Sequence, residues 1–174
     1  PIMTMIFRLL WIYIYARIGP RCSVTEETRL PFRCWFTDLD VNMHMTNTRY
    51  ASFMDLGRMD MLFRSGAWKR MRAVGIYPVL GSATVRFRKS ILPLQKFELT
   101  TRIASWDDKW VYYVQTMVVN GEAAGIGIVK KTFLDKNGRV PMEKIIALLG
   151  YDAPKPPITP LIDKKNELDV ALKA

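Results

Sequence analysis

Phe36-Thr37-Asp38-Leu39-Asp40-Val41-Asn42-Met43-His44-Met45-Thr46-Asn47-Thr48-Arg49-Tyr50-Ala51-Ser52-Phe53-Met54-Asp55-Leu56-Gly57-Arg58 is the stretch whose reading decides the fold. The periodicity of the chain changes inside it. From Asn47, the residues Tyr50, Phe53, Met54, Gly57 and Met61 recur at helical spacing and form one apolar stripe, with Asn47 or Thr46 as the cap of the first turn. Arg58 and Arg64 fall off that stripe. Gly57 inside a helix costs about 1 kcal/mol relative to alanine, so a close approach of other backbone is expected there. Upstream, Thr28 to Phe36 alternates as a strand, and Pro31 assigns it to an edge or a bulge. Between strand and helix, Asp38 to Asn47 gathers two acids, the one histidine and two asparagines into ten residues. Polar side chains concentrated where a strand hands over to a helix N-terminus are what a reactive site needs.

Downstream the chain turns to strands. Ser65-Gly66 ends the long helix, Ala67 to Val74 reads as a short one, and Gly75 and Pro78 close the region. Val79 to Phe87, Phe97 to Trp106, Trp110 to Val119 and Ala123 to Leu134 read as strands. Asp107-Asp108-Lys109 forms a turn, and Asn120-Gly121 is the strongest hairpin signal in the chain. Pro141 to Leu149 reads as a short helix. Pro154 to Pro160 begins an extended tail, with a terminal helix around Leu161 to Leu172. One long helix beside an antiparallel run must bury its stripe on the sheet, and a sheet that wraps the helix does so most simply.

Upstream, residues 2–16 are apolar apart from Thr4 and Arg8, a run short of the roughly 20 residues of a membrane span. It lacks a small-residue cleavage motif, so a signal peptide is not expected. It reads as a helix packed on the domain or as an interfacial helix flanked by Arg17 and Arg21, with peripheral membrane contact through residues 1–18 as the second expectation. The organisation expected is an N-terminal helix over 1–20, a domain over 24–150 and a Pro-rich tail over 151–174. The chain has 174 residues and a net charge of +10, which suits an anionic partner. Cys22 and Cys34 form no Cys-x-x-Cys pair, so a reducing, cytoplasmic location and no disulfide framework are expected. One histidine and two separated cysteines argue against a metal centre. Trp68-Lys69-Arg70 sets an aromatic beside cations, yet no nucleic-acid motif accompanies it and no nucleic-acid partner is expected. A serine hydrolase is excluded, because there is no Gly-x-Ser-x-Gly elbow.

Asp38, Asp40, His44, Asn47 and Tyr50 stand at the spacing Asp-x-Asp-x-x-x-His-x-x-Asn-x-x-Tyr. The stretch resembles the signature of hotdog-fold thioesterases of the 4-hydroxybenzoyl-CoA thioesterase type, in a poorly characterised thioesterase-like branch. The resemblance extends from about Thr28 to Leu134 in motif and element order. It implies an α+β hotdog fold, an antiparallel β-sheet wrapped around one long central helix, here with an extra N-terminal helix. It implies acyl-CoA thioester hydrolysis without a cofactor, in homodimers or homotetramers with active sites at the subunit interface. The family's catalytic carboxylate falls on Asp40, and its carbonyl-polarising N–H falls near Asn47. Met43 stands where the family usually has glycine and Thr46 where it often has asparagine, which predicts an altered loop path.

The chemistry agrees with that assignment. Thioester hydrolysis needs a nucleophile or a base, which a carboxylate can be, and a home for the oxyanion, which a helix N-terminus offers. Asp40 as nucleophile or general base and the Asn47 amide as oxyanion donor fill those roles, and the residues leave both routes open. A loop acid capping the helix is the plainer alternative for Asp40. His44 either orients substrate or is structural, Asp38 fixes the loop and Tyr50 belongs to the core. Asp55 and Arg58 read as a solvated pair. Arg86, Arg88 and Lys89 are the candidates for the phosphates of CoA, with Arg86 and Arg88 on one strand face by the two-residue period. A non-catalytic acyl or acyl-CoA binding protein of the same fold is the alternative, and a hotdog hydratase a third.

Overall fold

The computed structural model describes residues 2–151 and 154–172; Pro1, Asp152, Ala153, Lys173 and Ala174, in the expected terminal segments, lie outside it. In chain order come α1 (Ile2–Ile18), β1 (Thr28–Arg33), a 3-10 turn at Phe36–Asp38 and α2 (Asn47–Arg64). Then follow α3 (Ala67–Ala73), β2 (Tyr77–Phe87), β3 (Lys96–Trp106), β4 (Val111–Val119), β5 (Glu122–Asp135), the two-residue β6 (Gly138–Arg139), α4 (Met142–Leu149) and α5 (Pro160–Ala171). The antiparallel sheet has the order β1-β3-β4-β5-β2 and curls about α2, the hotdog arrangement.

Proline placement explains which strands lie at the edges. Pro31 sits in β1 and Pro78 in β2, and these are the two ends of the sheet order, where a missing N–H breaks no ladder. For the same reason β2 starts at Tyr77, two residues before the expected Val79. The β4–β5 hairpin turns at Asn120 (φ 49°) and Gly121 (φ 81°), both left-handed, as the Asn-Gly pair predicts.

The stripe on α2 builds the core. Phe53 packs its ring 4.9 Å from Phe32 of β1 and 5.0 Å from Phe97 of β3. Leu30, Leu99, Met54 and Met117 complete that cluster. Burying each such side chain contributes about 1.5–3 kcal/mol. Gly57 is where helix and sheet come closest: a Cβ there would lie 2.5 Å from Thr101 Oγ1 and 2.7 Å from Leu99. The contact is polar on the sheet side, where Gln115 Nε2 donates to Met54 O at 2.8 Å and to Thr101 Oγ1 at 2.9 Å.

Two features of α2 depart from the stripe. Arg58 and Arg64, off it in sequence, are 4 % and 9 % exposed. The sheet wraps one flank of the helix and α1 covers another, so positions that a flat sheet would leave wet are enclosed. The Asp55–Arg58 pair is therefore not the solvated pair expected. Arg58 Nη2 reaches Asp55 Oδ1 at 2.9 Å from a buried position, and the buried Lys131 lies 3.6 Å from the same oxygen. Burial holds the Arg58 guanidinium and the Lys131 ammonium below their ordinary pKa values, with Asp55 opposing it in both.

The N-terminal helix packs on the domain. Ile12 of α1 is fully buried, Trp11 meets Phe32 edge-on and Tyr13 meets Phe63. Its other side leaves Phe7, Leu10, Trp11, Ile14 and Ile18 exposed. Among the described residues, no helix is long and apolar enough to cross a membrane. At the other terminus, α5 lies on the outer face of the sheet, where Ile162 is buried with Ala104 and Tyr112 and Lys130 pairs with Asp169 at 3.2 Å.

Candidate active site

The loop between β1 and α2 is organised by Asp38. Its carboxylate is fully buried and takes a bidentate pair from Arg8 of α1, Nη1 to Oδ1 at 2.8 Å and Nη2 to Oδ2 at 2.6 Å. The Trp35 amide donates to Oδ2 at 2.9 Å, and Arg49 Nε lies 3.4 Å from Oδ1. The main chain joins in: Thr46 N donates to Asp38 O at 2.9 Å, and Arg49 Nη2 donates to Thr37 O at 3.1 Å. One acid thus ties together α1, the loop and the first turn of α2. This is the loop-fixing role expected of it. Its partners Arg8 and Arg49 were not singled out; the signal available in sequence was a lone arginine inside an apolar run.

Asp40 heads a tight turn. Its N–H donates to His44 O at 2.9 Å, and its Oδ1 accepts from the amides of Asn42 at 2.9 Å and His44 at 3.4 Å. An aspartate folding back on the amide two residues on is a local turn-maker. Asp40 does not cap α2: the N-cap is Thr46, whose own side chain makes no capping hydrogen bond. Its Oδ2 makes no hydrogen bond among the described residues. His44 Nδ1 stands 3.7 Å from Asp40 Oδ1, too far for a hydrogen bond.

Met43 keeps the path that a glycine would take. Its φ is 59°, in the left-handed region where glycine is free and a side chain is strained. The turn closes all the same, with Met43 N donating to Asp40 O at 3.1 Å.

Asp40, His44, Asn47, Tyr50, Phe87, Arg88, Lys89 and Ser90 surround one open cavity of about 250 Å³. Asn47 is the first residue of α2, so the positive end of the helix dipole meets the cavity. Tyr50 is buried and packs edge-on against Phe87 at 5.0 Å, while its hydroxyl donates to Lys89 O at 3.2 Å. Burial raises its pKa. Lys89 Nζ reaches Glu122 at 2.7 Å across the surface, and Arg88 makes no ion pair among the described residues. Lys89 holds the Glu122 carboxyl below its ordinary pKa.

Arg86 does not join them. Val85 packs toward the core and Phe87 toward Tyr50, so Arg86 between them lies on the opposite face of β2. Arg88 is beyond the end of the strand, and Arg88 N and Lys89 N both donate to Ala124 O, at 2.8 and 3.1 Å. That irregularity ends the two-residue period that had grouped Arg86 with Arg88. Cys34 lies near Asp38, and burial, with the Asp38 charge behind it, pushes its thiol up to about 11, which disfavours the thiolate.

The fold and the loop have known counterparts. A probable thioesterase of Escherichia coli, YbaW, superposes with a TM-score of 0.66 at 20 % identity, over 70 % of this chain and 95 % of its own. BH1999, a gentisyl-coenzyme A thioesterase, gives 0.62 at 19 % identity, over 69 % and 99 %. In sequence, Protein THEM6 of Danio rerio is 35 % identical over 112 residues, 64 % of this chain and 55 % of that protein. The probable thioesterase YBR096W of Saccharomyces cerevisiae is 28 % identical over 111 residues, 63 % and 46 %. The chain thus matches about half the length of these curated relatives. At the level of families the match runs from residue 34 to 165. It takes in the Asp40 loop, the central helix and the whole sheet after β1, and by it the chain belongs to the thioesterase-like superfamily.

Proposed function

We propose that the chain is an acyl-CoA thioesterase, hydrolysing a thioester to a free acid and CoA. The observation that carries this reading is the meeting of Asp40, the start of α2 at Asn47, and Arg88 and Lys89 around one cavity. Asp40 Oδ2 attacks the thioester carbonyl or takes a proton from the attacking water, while Oδ1 is held by its own turn. The Asn47 amide receives the charge that develops on the carbonyl oxygen, an interaction that elsewhere lowers a barrier by about 2.7–4 kcal/mol. His44 orients the substrate beside Asp40. Arg88 and Lys89 meet the CoA phosphates, and Arg86, on the other sheet face, does not contribute. Along either route the C–S bond breaks, the thiol leaves protonated and one water is consumed. On the general-base route its oxygen enters the acid directly. On the nucleophilic route water opens an acyl–Asp40 anhydride at the aspartyl carbonyl, so its oxygen enters the Asp40 carboxylate and the acid leaves with the former Asp40 oxygen.

Release of free thiol from a panel of acyl-CoAs tests this. Asp40→Asn is expected to lower kcat by about a hundredfold or more, the scale of a lost acid–base group, with the melting temperature preserved. Unimpaired turnover in Asp40→Asn overturns the assignment, and ligand binding without turnover on any acyl-CoA leaves a binding protein of the same fold. In a single turnover in heavy-oxygen water, label in the Asp40 carboxylate identifies the nucleophilic route.

Two partner proposals accompany this one. β2 is an edge strand with Tyr77, Leu80 and Phe87 exposed, and Phe87 also lines the cavity, which supports a homo-oligomer that completes the site across that edge. Light scattering on Leu80→Lys is expected to give a smaller species than the parent. The exposed Phe7, Leu10, Ile14 and Ile18, with Arg17 in the last turn of α1, support peripheral contact with an anionic membrane. Replacing Phe7, Leu10 and Ile14 by serine is expected to abolish sedimentation with phosphatidylserine vesicles, and unchanged partitioning sinks the idea.

A further inference from the structure

The cavity at Asp40 accounts for only half of a thioester. Besides Met45, Tyr50 and Phe87 it is lined by polar and charged groups, Asp40, His44, Asn47, Arg88, Lys89 and Ser90, and a long acyl chain placed among these would strand apolar surface beside charge. Three residues next to them in sequence face elsewhere. Leu39, before Asp40, and Thr46 and Thr48, on either side of Asn47, line a second and larger groove of about 830 Å³. This groove runs between α1 and the side of α2 away from the sheet. Its walls are Met5, Ile6 and Leu9 of α1, Leu39 of the loop, and Leu56 and Met59 of α2. The segments that carry the proposed chemistry are therefore the partition between a polar cavity and an apolar one.

Most of the polar side chains that reach the groove already have partners. Ser52 Oγ donates to Thr48 O at 3.1 Å, and the Thr46 and Thr48 hydroxyls pair with each other at 3.4 Å. Arg49 is held by Thr37 O and Asp38, and Asp55 by Arg58 and Lys131. The Thr37 hydroxyl and the second oxygen of the Asp55 carboxylate face solvent, so an apolar occupant lies along the stretch walled by Met5, Ile6, Leu9, Leu39, Leu56 and Met59. The volume lies within the roughly 300–1,000 Å³ range of small-molecule sites. From Thr46 to Met59 the groove follows α2 for about 20 Å at the helical rise, a length that suits a long-chain acyl group. Methionines on both walls adapt to chains of different shape.

We infer that the α1–α2 groove is the acyl-chain site, which makes the N-terminal helix a wall of the substrate pocket and the substrate class a long-chain aliphatic acyl thioester. The inference rests on reading the Asp40 cavity as the thioester site. The CoA portion then leaves past Arg88 and Lys89 while the chain passes over the Leu39 and Thr46 side of the partition.

Two measurements on the whole chain test it. In the first, palmitic acid bearing a terminal diazirine is photolysed with the protein, and the labelled peptides are identified by mass spectrometry. Label on the α1 and Leu56–Met59 peptides, competed by palmitoyl-CoA, is expected. Label elsewhere, or none above that of denatured protein, overturns the inference. In the second, Met59→Trp and, separately, Leu9→Trp fill the groove. Each is expected to lower the ratio of kcat/KM for palmitoyl-CoA to that for butyryl-CoA by about tenfold or more. A parallel change at both chain lengths overturns the inference, as does a change of oligomeric state at an unaltered ratio, which would assign the groove to a second copy. Photolabelling does not depend on turnover. Groove labelling in a protein that hydrolyses nothing therefore sinks the hydrolase and keeps the acyl site.

Discussion

The two ends of α2 are closed by different means. At the C-terminal end Met61 and Leu62 are surrounded by Met71 of α3, Trp106, Tyr113 and Phe133 of the sheet and Ile145 of α4, around an apolar void of about 40 Å³. At the N-terminal end the neighbours are Asp40, His44, Asn47, Arg88 and Lys89, around a cavity about six times larger. One end is filled by side chains that need nothing but each other. The other is held open by a loop whose shape comes from hydrogen bonds to Asp38 and Asp40. The difference separates stability from chemistry along a single helix: substitutions at the closed end act on folding, and substitutions at the open end act on the reaction unless they touch the Asp38 hub.

Breaking the hub gives the largest effect on that comparison. Arg8→Met leaves the buried Asp38 carboxylate without its bidentate partner and is expected to cost about 3–5 kcal/mol, the scale for one partner lost from a buried pair. Urea denaturation measures it, and a loss below 1 kcal/mol would make the hub dispensable. Next, Ile145→Ala at the closed end is expected to cost about 2–5 kcal/mol while leaving kcat unchanged well below the melting temperature. Together with Asp40→Asn, which acts on turnover and not on folding, it forms a double dissociation. An Ile145→Ala enzyme with impaired kcat at full occupancy of the folded state would join the two ends. The smallest effect concerns pH. Burial pushes the Asp60 carboxyl up to about 6 from its ordinary 3.8, against the pull of Arg64. The folded state then takes up that proton before the unfolded one does. This group's contribution to stability rises as pH falls through about 6 and levels off near 3.8. Between pH 7 and 5 a gain of about 1 kcal/mol is expected in the parent and not in Asp60→Asn. Equal pH slopes in the two proteins would rule it out.

Much of this was legible in the sequence because the information is local. The helical stripe on α2, the Asn120-Gly121 turn and the two edge prolines each follow from a few neighbouring residues, and Gly57 announced its close contact with Thr101 by sitting where alanine would be the better helix former. At the site, Asp40, His44 and Asn47 stand out in sequence through the resemblance to a family signature, and they line one cavity with Arg88 and Lys89. What the sequence hid depends on residues far apart or on a small irregularity. Arg8 and Asp38 are thirty positions apart, and nothing in the apolar run says which acid the arginine will find. Arg88 parts from Arg86 because the strand ends at Phe87 and the two-residue period with it. Arg58 reads as half of a solvated pair because a stripe marks the best-buried face of a helix and says nothing about how far a curled sheet reaches around it.

The Arg8–Asp38 clamp makes the position of α1 and the shape of the Asp40 loop a single mechanical coordinate. A force that lifts the helix from the domain pulls on the acid that fixes the loop, and the work done on one is done on the other. Such coupling runs both ways by thermodynamic necessity. A molecule that grips the loop also pins the helix, and whatever holds the helix down steadies the loop. The N-terminal segment, outside the sheet and remote in sequence from the motif, is thus joined through Asp38 to the loop that carries Asp40.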